Sequence, residues 1–497
     1  MIITDEHDDD PSIRKPPSTP SRSSLVIASP GAGPSSPLLG AQQPPLSPYA
    51  AAASASNEPP PAYPGYQTFP QPEPTPPTLP PENLHSDRSR RDNKGPRRWW
   101  RVLFWAVFTY VLIVIIFRTI RGSGSRSDFP WDGDGWPIKL PGSSAYKVTR
   151  CDGFGYSSDP YTMSFSLEAS AKELFLATQG DATKGNIEVV YDPQLHDTVD
   201  VRISINNLSR TKWDALKDVN ICVFKAGDTA HGVLLHNNKD GSYFRKQADL
   251  NIVVAFPSLN AKPQSTPSFS VITSSYGLNV DLPAREVLLN RVNLRTQKSD
   301  IAVQSLSGVS ISATTTRGNL TGSFIATSKV DLLNDAGQIT ANVVARHDGK
   351  GPATSVKMVT SEQTLTGTLS LESTTTTGQG GAFDVAVVAT DTPVVLSHAA
   401  MPVGAQLNLK VAASNAPAMV HLDPAYEGSF SVFTTRATAL VNRIRHDDPT
   451  GRGRQRSIAW DVVQSNLVKG SVYWGKERSS RGSADVRTTS GAAMLYV

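Results

Sequence analysis

The 497-residue sequence has few cysteines and little net charge. Its two cysteines allow one intrachain disulfide at most. The formal net charge is +4, and the basic residues outside one short segment are scattered among acidic ones. Proteins that bind nucleic acid usually carry a concentrated basic face. The sequence therefore shows no nucleic-acid footprint, and we expect no nucleic-acid partner.

Catalytic and metal-binding patterns are also missing. The histidines after residue 120 lack metal-ligand spacing apart from His231 and His236, five residues apart, which we interpret as ordinary surface histidines. Asp300 and Asp331 are isolated, whereas a polysaccharide hydrolase needs paired carboxylates. We expect no catalytic residue, no metal site and no cofactor. A lumenal carbohydrate-active enzyme, with distant residues that converge in the fold, is the alternative.

The amino-terminal part of the chain is rich in proline. Of the 37 prolines, 22 precede residue 97, in a segment that is also rich in serine and alanine. Such a segment cannot bury enough apolar surface to offset the entropy of ordering it. We therefore predict a disordered tail at residues 1–97.

The tail contains one recognition motif. Pro60, Pro61 and Tyr63 form a Pro-Pro-x-Tyr sequence within a stretch that favours the polyproline II helix. WW domains bind such a helix in an aromatic groove and enclose the tyrosine. In a segment this rich in proline, the motif also arises by chance. A WW-domain protein is a candidate partner, and a membrane adaptor acting through this motif is an alternative function.

Residues 99–120 are predicted to form a transmembrane signal anchor. Between Arg101 and Arg118 no residue is charged, and this run of about 16 residues makes roughly 24 Å of helix. Arginines that snorkel and tryptophans at the interface extend its reach. Seven basic residues at positions 88–101 outnumber three at 118–126, which keeps the amino terminus in the cytosol. We predict a single-pass type II protein of the secretory pathway or plasma membrane.

Residues 121–143 resemble a flexible stalk, because they are rich in Gly, Ser, Asp and Pro and show no periodicity. Asp132 and Asp134 form the Asp-x-Asp sequence found in many type II glycosyltransferases. That motif belongs at the end of a strand in an α/β fold. Its position in a stalk, followed by no alternation of strands and helices, argues against a metal site.

Cysteines and glycosylation sequons all follow the predicted span. Cys151 and Cys222 would meet an oxidising lumen, where we expect them to pair, with two buried free thiols as the alternative. Asn207 and Asn319 begin Asn-x-Ser/Thr sequons. Both features agree with a translocated carboxy-terminal region.

Residues 144–497 show the alternation of apolar and polar residues that is typical of strands, and we predict an all-β lumenal or extracellular domain. Two short helices are expected, at 170–175 and 212–218. Units beginning at Val292, Val309 and Val330 each contain an alternating strand, a turn rich in Thr, Ser or Asn and often holding glycine, and a second strand. A fourth unit begins at Val486. Such units suit a β-solenoid or a stacked β-meander or sandwich.

These units resemble the adhesin family of unknown function, whose members are similar to β-solenoids with Ser/Gly turns. The resemblance is best at residues 269–371 and departs from the pattern at 347–352 and 423–482. It implies a binding or surface role, and no activity comes with it. We expect a binding or structural function for the domain, with a glycan or protein as the candidate ligand, and no enzyme.

Overall fold

The structure is a computed structural model. It describes residues 147–154, 161–180, 183–206, 216, 219–226, 229–237, 248–259, 266–476 and 481–497. The predicted tail, anchor and stalk, the Pro-Pro-x-Tyr motif and Asn207 lie outside these residues. Within the described part, no helix is long and apolar enough to cross a membrane.

The prediction of an all-β domain is confirmed, because the described elements are 26 strands. The first nine are β1 Lys147–Gly153, β2 Thr162–Glu168, β3 Glu173–Gln179, β4 Thr183–Tyr191, β5 Thr198–Ile205, β6 Val219–Ala226, β7 Ala230–Asn237, β8 Ala248–Phe256 and β9 Ser268–Ile272. The next nine are β10 Tyr276–Asp281, β11 Leu289–Thr296, β12 Ile301–Thr315, β13 Leu320–Asn334, β14 Ile339–His347, β15 Thr354–Thr360, β16 Leu365–Ser373, β17 Ala382–Ala389 and β18 Val394–Ala400. The last eight are β19 Gln406–Ala413, β20 Ala418–His421, β21 Gly428–Thr434, β22 Ala439–Asn442, β23 Arg456–Val463, β24 Leu467–Trp474, β25 Ser483–Thr488 and β26 Ala493–Tyr496.

The strands stack into two faces joined by turns. Each rung contributes one strand to each face, and most strands pair in parallel with those of the neighbouring rungs. Face one runs β1-β6-β7-β3-β9-β11-β12-β13-β15-β17-β19-β25-β21-β24-β23. Face two runs β2-β5-β8-β4-β10-β12-β13-β14-β16-β18-β20-β26-β22. The long strands β12 and β13 belong to both faces. This arrangement of parallel rungs is that of a β-solenoid.

Alternation of side chains explains why these segments form strands. In β15, for example, Val356 and Met358 point inward and are fully buried, while Ser355 and Lys357 point outward. Side chains that alternate across a strand place one set in the core and the other in solvent. The inward residues of both faces form one continuous core along the stack.

The order of the rungs in space differs from their order in sequence at both ends. At the amino-terminal end, the β3–β4 rung lies between β7–β8 and β9–β10. At the other end, the β25–β26 rung lies between β19–β20 and β21–β22. The unit beginning at Val486 therefore completes the interior of the stack rather than extending its end.

The two ends are finished differently. At the amino-terminal end, antiparallel strands extend both faces: β6 and β1 on face one, β5 and β2 on face two. At the carboxy-terminal end, antiparallel β24 and β23 extend face one. Among the described strands, face two ends at β22, so face one projects two strands beyond it.

A buried polar column lines the turns that leave face one. Thr296, Thr315, Asn334 and Thr360 lie side by side on successive rungs, and all are buried. Their side chains bond backbone groups of the turns: Thr315 Oγ1 donates to the Ser299 carbonyl (3.2 Å) and accepts from a turn amide three residues on. Buried polar groups need such partners. The Thr/Asn-rich turns thus join neighbouring rungs.

Glycine follows three residues after the column residue where the turns approach most closely. A Cβ at Gly337 would lie 2.0 Å from the Gly318 carbonyl oxygen, and one at Gly318 would lie 1.9 Å from that of Ser299. No other residue fits such a backbone contact. The repeated Thr/Asn-x-x-Gly pattern is therefore a packing requirement of stacked turns.

One of the two predicted helices is a strand, and the insert in the repeats is a loop. The helix predicted at 170–175 is wrong, because Glu173–Gln179 forms β3 between β7 and β9. The second predicted helix, at 212–218, falls mostly outside the described residues. The insert at 347–352 is a loop held by His347, whose ring accepts a hydrogen bond from the Gly349 amide (2.8 Å).

Candidate binding surface

The two cysteines lie directly opposite each other in the antiparallel strands β1 and β6. The structure joins Cys151 and Cys222 in a disulfide across a sequence separation of 71 residues. The bond ties the outermost strand of face one to its neighbour at the amino-terminal end of the solenoid.

His231 and His236 do not form a site. Both lie in β7, and an odd separation in a strand places their side chains on opposite faces. The interpretation of both as surface histidines is wrong for His231, which is buried and accepts a hydrogen bond from the Glu168 amide at Nδ1 (3.4 Å). Within the described ranges, no three or more His, Cys, Asp or Glu side chains are arranged to hold a metal ion.

Asn319 lies exposed in the turn between β12 and β13. Its Oδ1 accepts a hydrogen bond from the backbone N–H of Gln338 (3.1 Å), and the backbone N–H of Asn319 donates to the Asp300 carboxylate (2.6 Å). The side chain therefore belongs to an outer ladder of turn residues, with the sequon at the solvent surface.

Exposed apolar side chains concentrate at the carboxy-terminal end. Six large apolar residues of the described part are exposed, and four of them lie between residues 440 and 463. These are Leu440 (42%), Ile444 (37%), Trp460 (48%) and Val463 (69%). We call β22, the loop at 443–455 and the β23–β24 hairpin the end surface. Trp460 and Val463 share strand β23, and exposed apolar side chains that lie together mark interaction sites.

Trp460 is the largest apolar side chain of the end surface. It lies opposite Gly470 of β24 and contacts Phe430 edge-on, with ring centroids 5.8 Å apart. A Cβ at Gly470 would lie 2.6 Å from the Phe430 ring, so glycine leaves room for this contact. Trp460 is thus held by the core on one side and presented to solvent on the other.

The loop at 443–455 is organised around Asp448. Its carboxylate accepts hydrogen bonds from Thr450, from the Arg452 amide (3.2 Å), and from the amide and guanidinium of Arg454. The bond with Arg454, the largest cause, holds the pKa of Asp448 well below its usual range. The Asp448 carboxylate therefore holds the loop in place, and its partners all belong to the loop itself.

Arg456 begins β23 and carries a buried guanidinium. It is 8% exposed, lies over the Trp474 ring at 5.8 Å, and its three side-chain nitrogens have no hydrogen-bond partner among the described residues. Burial lowers its pKa to about 10, so the group remains charged at neutral pH. A positive charge, attracted by the Asp423 carboxylate, therefore lies beneath the end surface.

Positive charge dominates the sequence of this region. Residues 439–474 contain six Arg and Lys against three Asp and Glu, a net charge of +3, compared with +4 for the whole chain. Arg443, Arg445 and Arg452 are exposed on the loop. The sequence analysis overlooked this surface, although the arginine run at 443–456 is a signal for a basic patch.

An apolar column on the outside of face two leads to the end surface. Val395, Met419, Met494 and Leu440 lie side by side on β18, β20, β26 and β22. In the next column His421 stacks on Tyr496, with ring centroids 4.1 Å apart. This column continues the apolar character of the end surface along the outside of face two.

His398 lies behind this column in β18. Its Nδ1 is 3.0 Å from the His421 carbonyl oxygen. Burial lowers the pKa of His398 to about 4, against a smaller rise from that hydrogen bond. The ring is therefore neutral at physiological pH.

No family model and no curated protein sequence matches the chain. Among solved structures it is similar to a "putative cell adhesion protein" from Clostridium sporogenes, with 10% identity and a TM-score of 0.14, covering 67% of this chain and 98% of the other. It is also similar to a "putative adhesin" from Bacteroides fragilis, with 13% identity and a TM-score of 0.23, covering 51% and 98%. Both neighbours carry adhesion names, as does the family that the Thr/Gly repeats resemble.

Proposed function

We propose that this protein is a membrane-anchored, type II protein that presents an adhesin-like β-solenoid as a binding module in the lumen or at the cell surface. The observation that carries the proposal is the end surface, where four exposed apolar side chains accompany a net charge of +3 over residues 439–474. Binding sites combine apolar anchors, which supply affinity, with charges, which steer association.

Membrane anchoring is supported by the uncharged run within 99–120 and by the basic residues before it. The disulfide between Cys151 and Cys222 supports an oxidising compartment for the domain. The exposed sequon at Asn319 is compatible with glycosylation there.

The binding role is tested by reconstituting the full-length protein in fluorescent liposomes. Retention of these liposomes is then measured on an array of immobilised glycans and extracellular proteins. We expect retention on specific spots, weaker at high salt because basic side chains contribute. Replacing Arg443, Arg445 and Arg452 by serine should reduce retention about tenfold if the three charges together contribute on the order of 1.4 kcal/mol.

A matched control replaces three exposed arginines far from the end surface in sequence, Arg202, Arg291 and Arg317, by serine. This variant has the same loss of net charge and should be retained like the wild type. Equal losses in both variants, or no retention on any spot, would contradict the proposal. Depolymerisation of an arrayed glycan would instead support the carbohydrate-active alternative. If deleting residues 1–97 abolished retention on the array, the adaptor function would be supported.

A further inference from the structure

Strand β23 forms an edge of face one. Among the described residues it pairs with β24 alone. Just before it, the Gly475 amide donates to the Gln455 carbonyl (3.0 Å), so these opposite residues form a hydrogen-bonded pair. Hydrogen-bonded and non-hydrogen-bonded pairs alternate along an antiparallel ladder. The register of β23 therefore determines which backbone groups face β24 and which face away.

The groups that face away belong to every second residue. Counting from Gln455, the N–H and C=O of Arg456, Ile458 and Trp460 point to the free side. One hydrogen bond supports this assignment of the free side: Arg443 Nη2 donates to the Arg456 carbonyl (3.2 Å), which therefore does not face β24. A bulge follows Trp460 and ends the regular edge. The free donors and acceptors of Ile458 and Trp460 thus form a short template for another strand.

Apolar side chains line this template. Trp460 is 48% exposed, and Val463, opposite Val468, is the most exposed large apolar residue of the described part. Ile458 is partly buried against the core. Edge strands that expose apolar side chains without lysine or proline are open to pairing with another chain. β23 contains neither residue, and its two charged residues, Arg456 and Asp461, lie on either side of the Ile458–Trp460 segment.

Charge decides which chain can add. Residues 439–474 have a net charge of +3, and Arg443 lies at one end of the template. The guanidinium of Arg456, which has no hydrogen-bond partner among the described residues, lies beneath it. A second copy of this protein would bring together two surfaces of net charge +3, which like-charge repulsion opposes. An acidic segment is complementary to the edge in both charge and backbone.

We propose that β23 is a strand-addition site for an extended, acidic segment of a partner protein. The segment hydrogen-bonds to Ile458 and Trp460, packs alternate apolar side chains against Trp460, and places acidic side chains near Arg443. The inference deepens the proposed binding function and rests on it, since it specifies the ligand class of the end surface.

The probe is a fluorescein-labelled nine-residue peptide that alternates valine and glutamate, and its binding to the full-length protein in detergent is followed by fluorescence anisotropy. We expect saturable binding. Trp460→Ala should weaken it about tenfold through loss of the apolar anchor. Trp460→Pro should weaken it further, because it also removes an edge N–H while leaving the ladder to β24 intact.

Backbone and charge controls complete the experiment. The same peptide with alternate amides N-methylated, and a valine–lysine peptide, should both fail to bind. The N-methylated peptide tests backbone hydrogen bonding on the wild-type protein, so the test does not depend on whether the Trp460→Pro variant folds. Binding of the N-methylated peptide, or equal binding to wild type and Trp460→Ala, would overturn the strand-addition site. Capture of heparin but not of the valine–glutamate peptide would overturn it in favour of an anionic glycan, while retention on the array would leave the proposed function standing.

Discussion

Replacing Asn334 by alanine measures what the buried polar column contributes to stability. Asn334 is 2% exposed and makes three hydrogen bonds: Nδ2 donates to the carbonyls of Gly318 (2.9 Å) and Gln338 (3.2 Å), and Oδ1 accepts from the Gly337 amide (2.8 Å). Alanine leaves the Gly337 N–H and the Gly318 carbonyl without these partners, and a buried unsatisfied group costs about 1–3 kcal/mol. We expect a loss of about 3 kcal/mol in the free energy of unfolding.

For a domain of about 350 residues, that loss lowers the midpoint of thermal unfolding by roughly 4 °C. Hydrogen exchange should localise the effect, because rungs of a solenoid interact mainly with their neighbours. We expect the Gly337 amide to exchange faster while amides of distant rungs, such as those of β19, keep their protection.

Asn334→Thr is the matched control. Threonine occupies the equivalent position in the adjacent rungs at Thr315 and Thr360, where its hydroxyl bonds turn groups. This variant should lose about 1 kcal/mol, since one hydroxyl replaces part of the amide's bonding. Identical melting and exchange for wild type, Asn334→Ala and Asn334→Thr would refute the view that the column joins the rungs.

Four further predictions concern other parts of the chain. Thiol labelling of the denatured, unreduced protein should find no free thiol, because the Cys151–Cys222 disulfide, worth about 4 kcal/mol, is closed; two labelled thiols per chain would contradict it. The sequons after residue 120 should carry endoglycosidase-sensitive glycans, and the carboxy-terminal domain should resist protease in sealed microsomes; cleavage there would rule out the topology. A tail peptide with Tyr63→Ala should lose binding to WW domains, and the full protein should turn over more slowly; equal binding would make the motif a chance string. In the folded protein the pKa of His398 is about 4, against an ordinary value of 6.5. The unfolded state therefore takes up a proton first as the pH falls, and the free energy of unfolding should decrease by about 3 kcal/mol between pH 6.5 and 4. A His398→Gln variant with the same decrease would contradict this.

The repeat could be predicted from the sequence because its determinants are local. Each unit places a column residue such as Thr315 at the end of one strand, glycine or a small residue three positions later, and the next strand directly after. Alternation and turn chemistry are both set by residues close in the chain. The all-β class and the turns within these units followed from that local information, whereas Val309 and Val330 lie inside the long strands β12 and β13 and not at their ends.

Segment 170–175 shows where local reasoning fails. Ala171, Lys172, Glu173 and Leu174 favour a helix individually. In the structure Glu173–Gln179 lies between two parallel strands and is apolar on both sides, with Leu174 and Leu176 in the main core and Phe175 in a second cluster with Cys222. Tertiary pairing outweighs helix propensity there, as is common for strands buried on both faces.

The sequence by itself determined the strand periodicity, the stacked turns and the basic character of residues 443–456, because each depends on neighbours in the chain. Tertiary structure alone decided that β25–β26 lies inside the stack, that face one projects past β22, and that Trp460 meets solvent beside a free strand edge. Parallel pairing joins strands far apart in sequence through backbone groups that every residue shares, so side-chain patterns carry little information about which rung lies next to which.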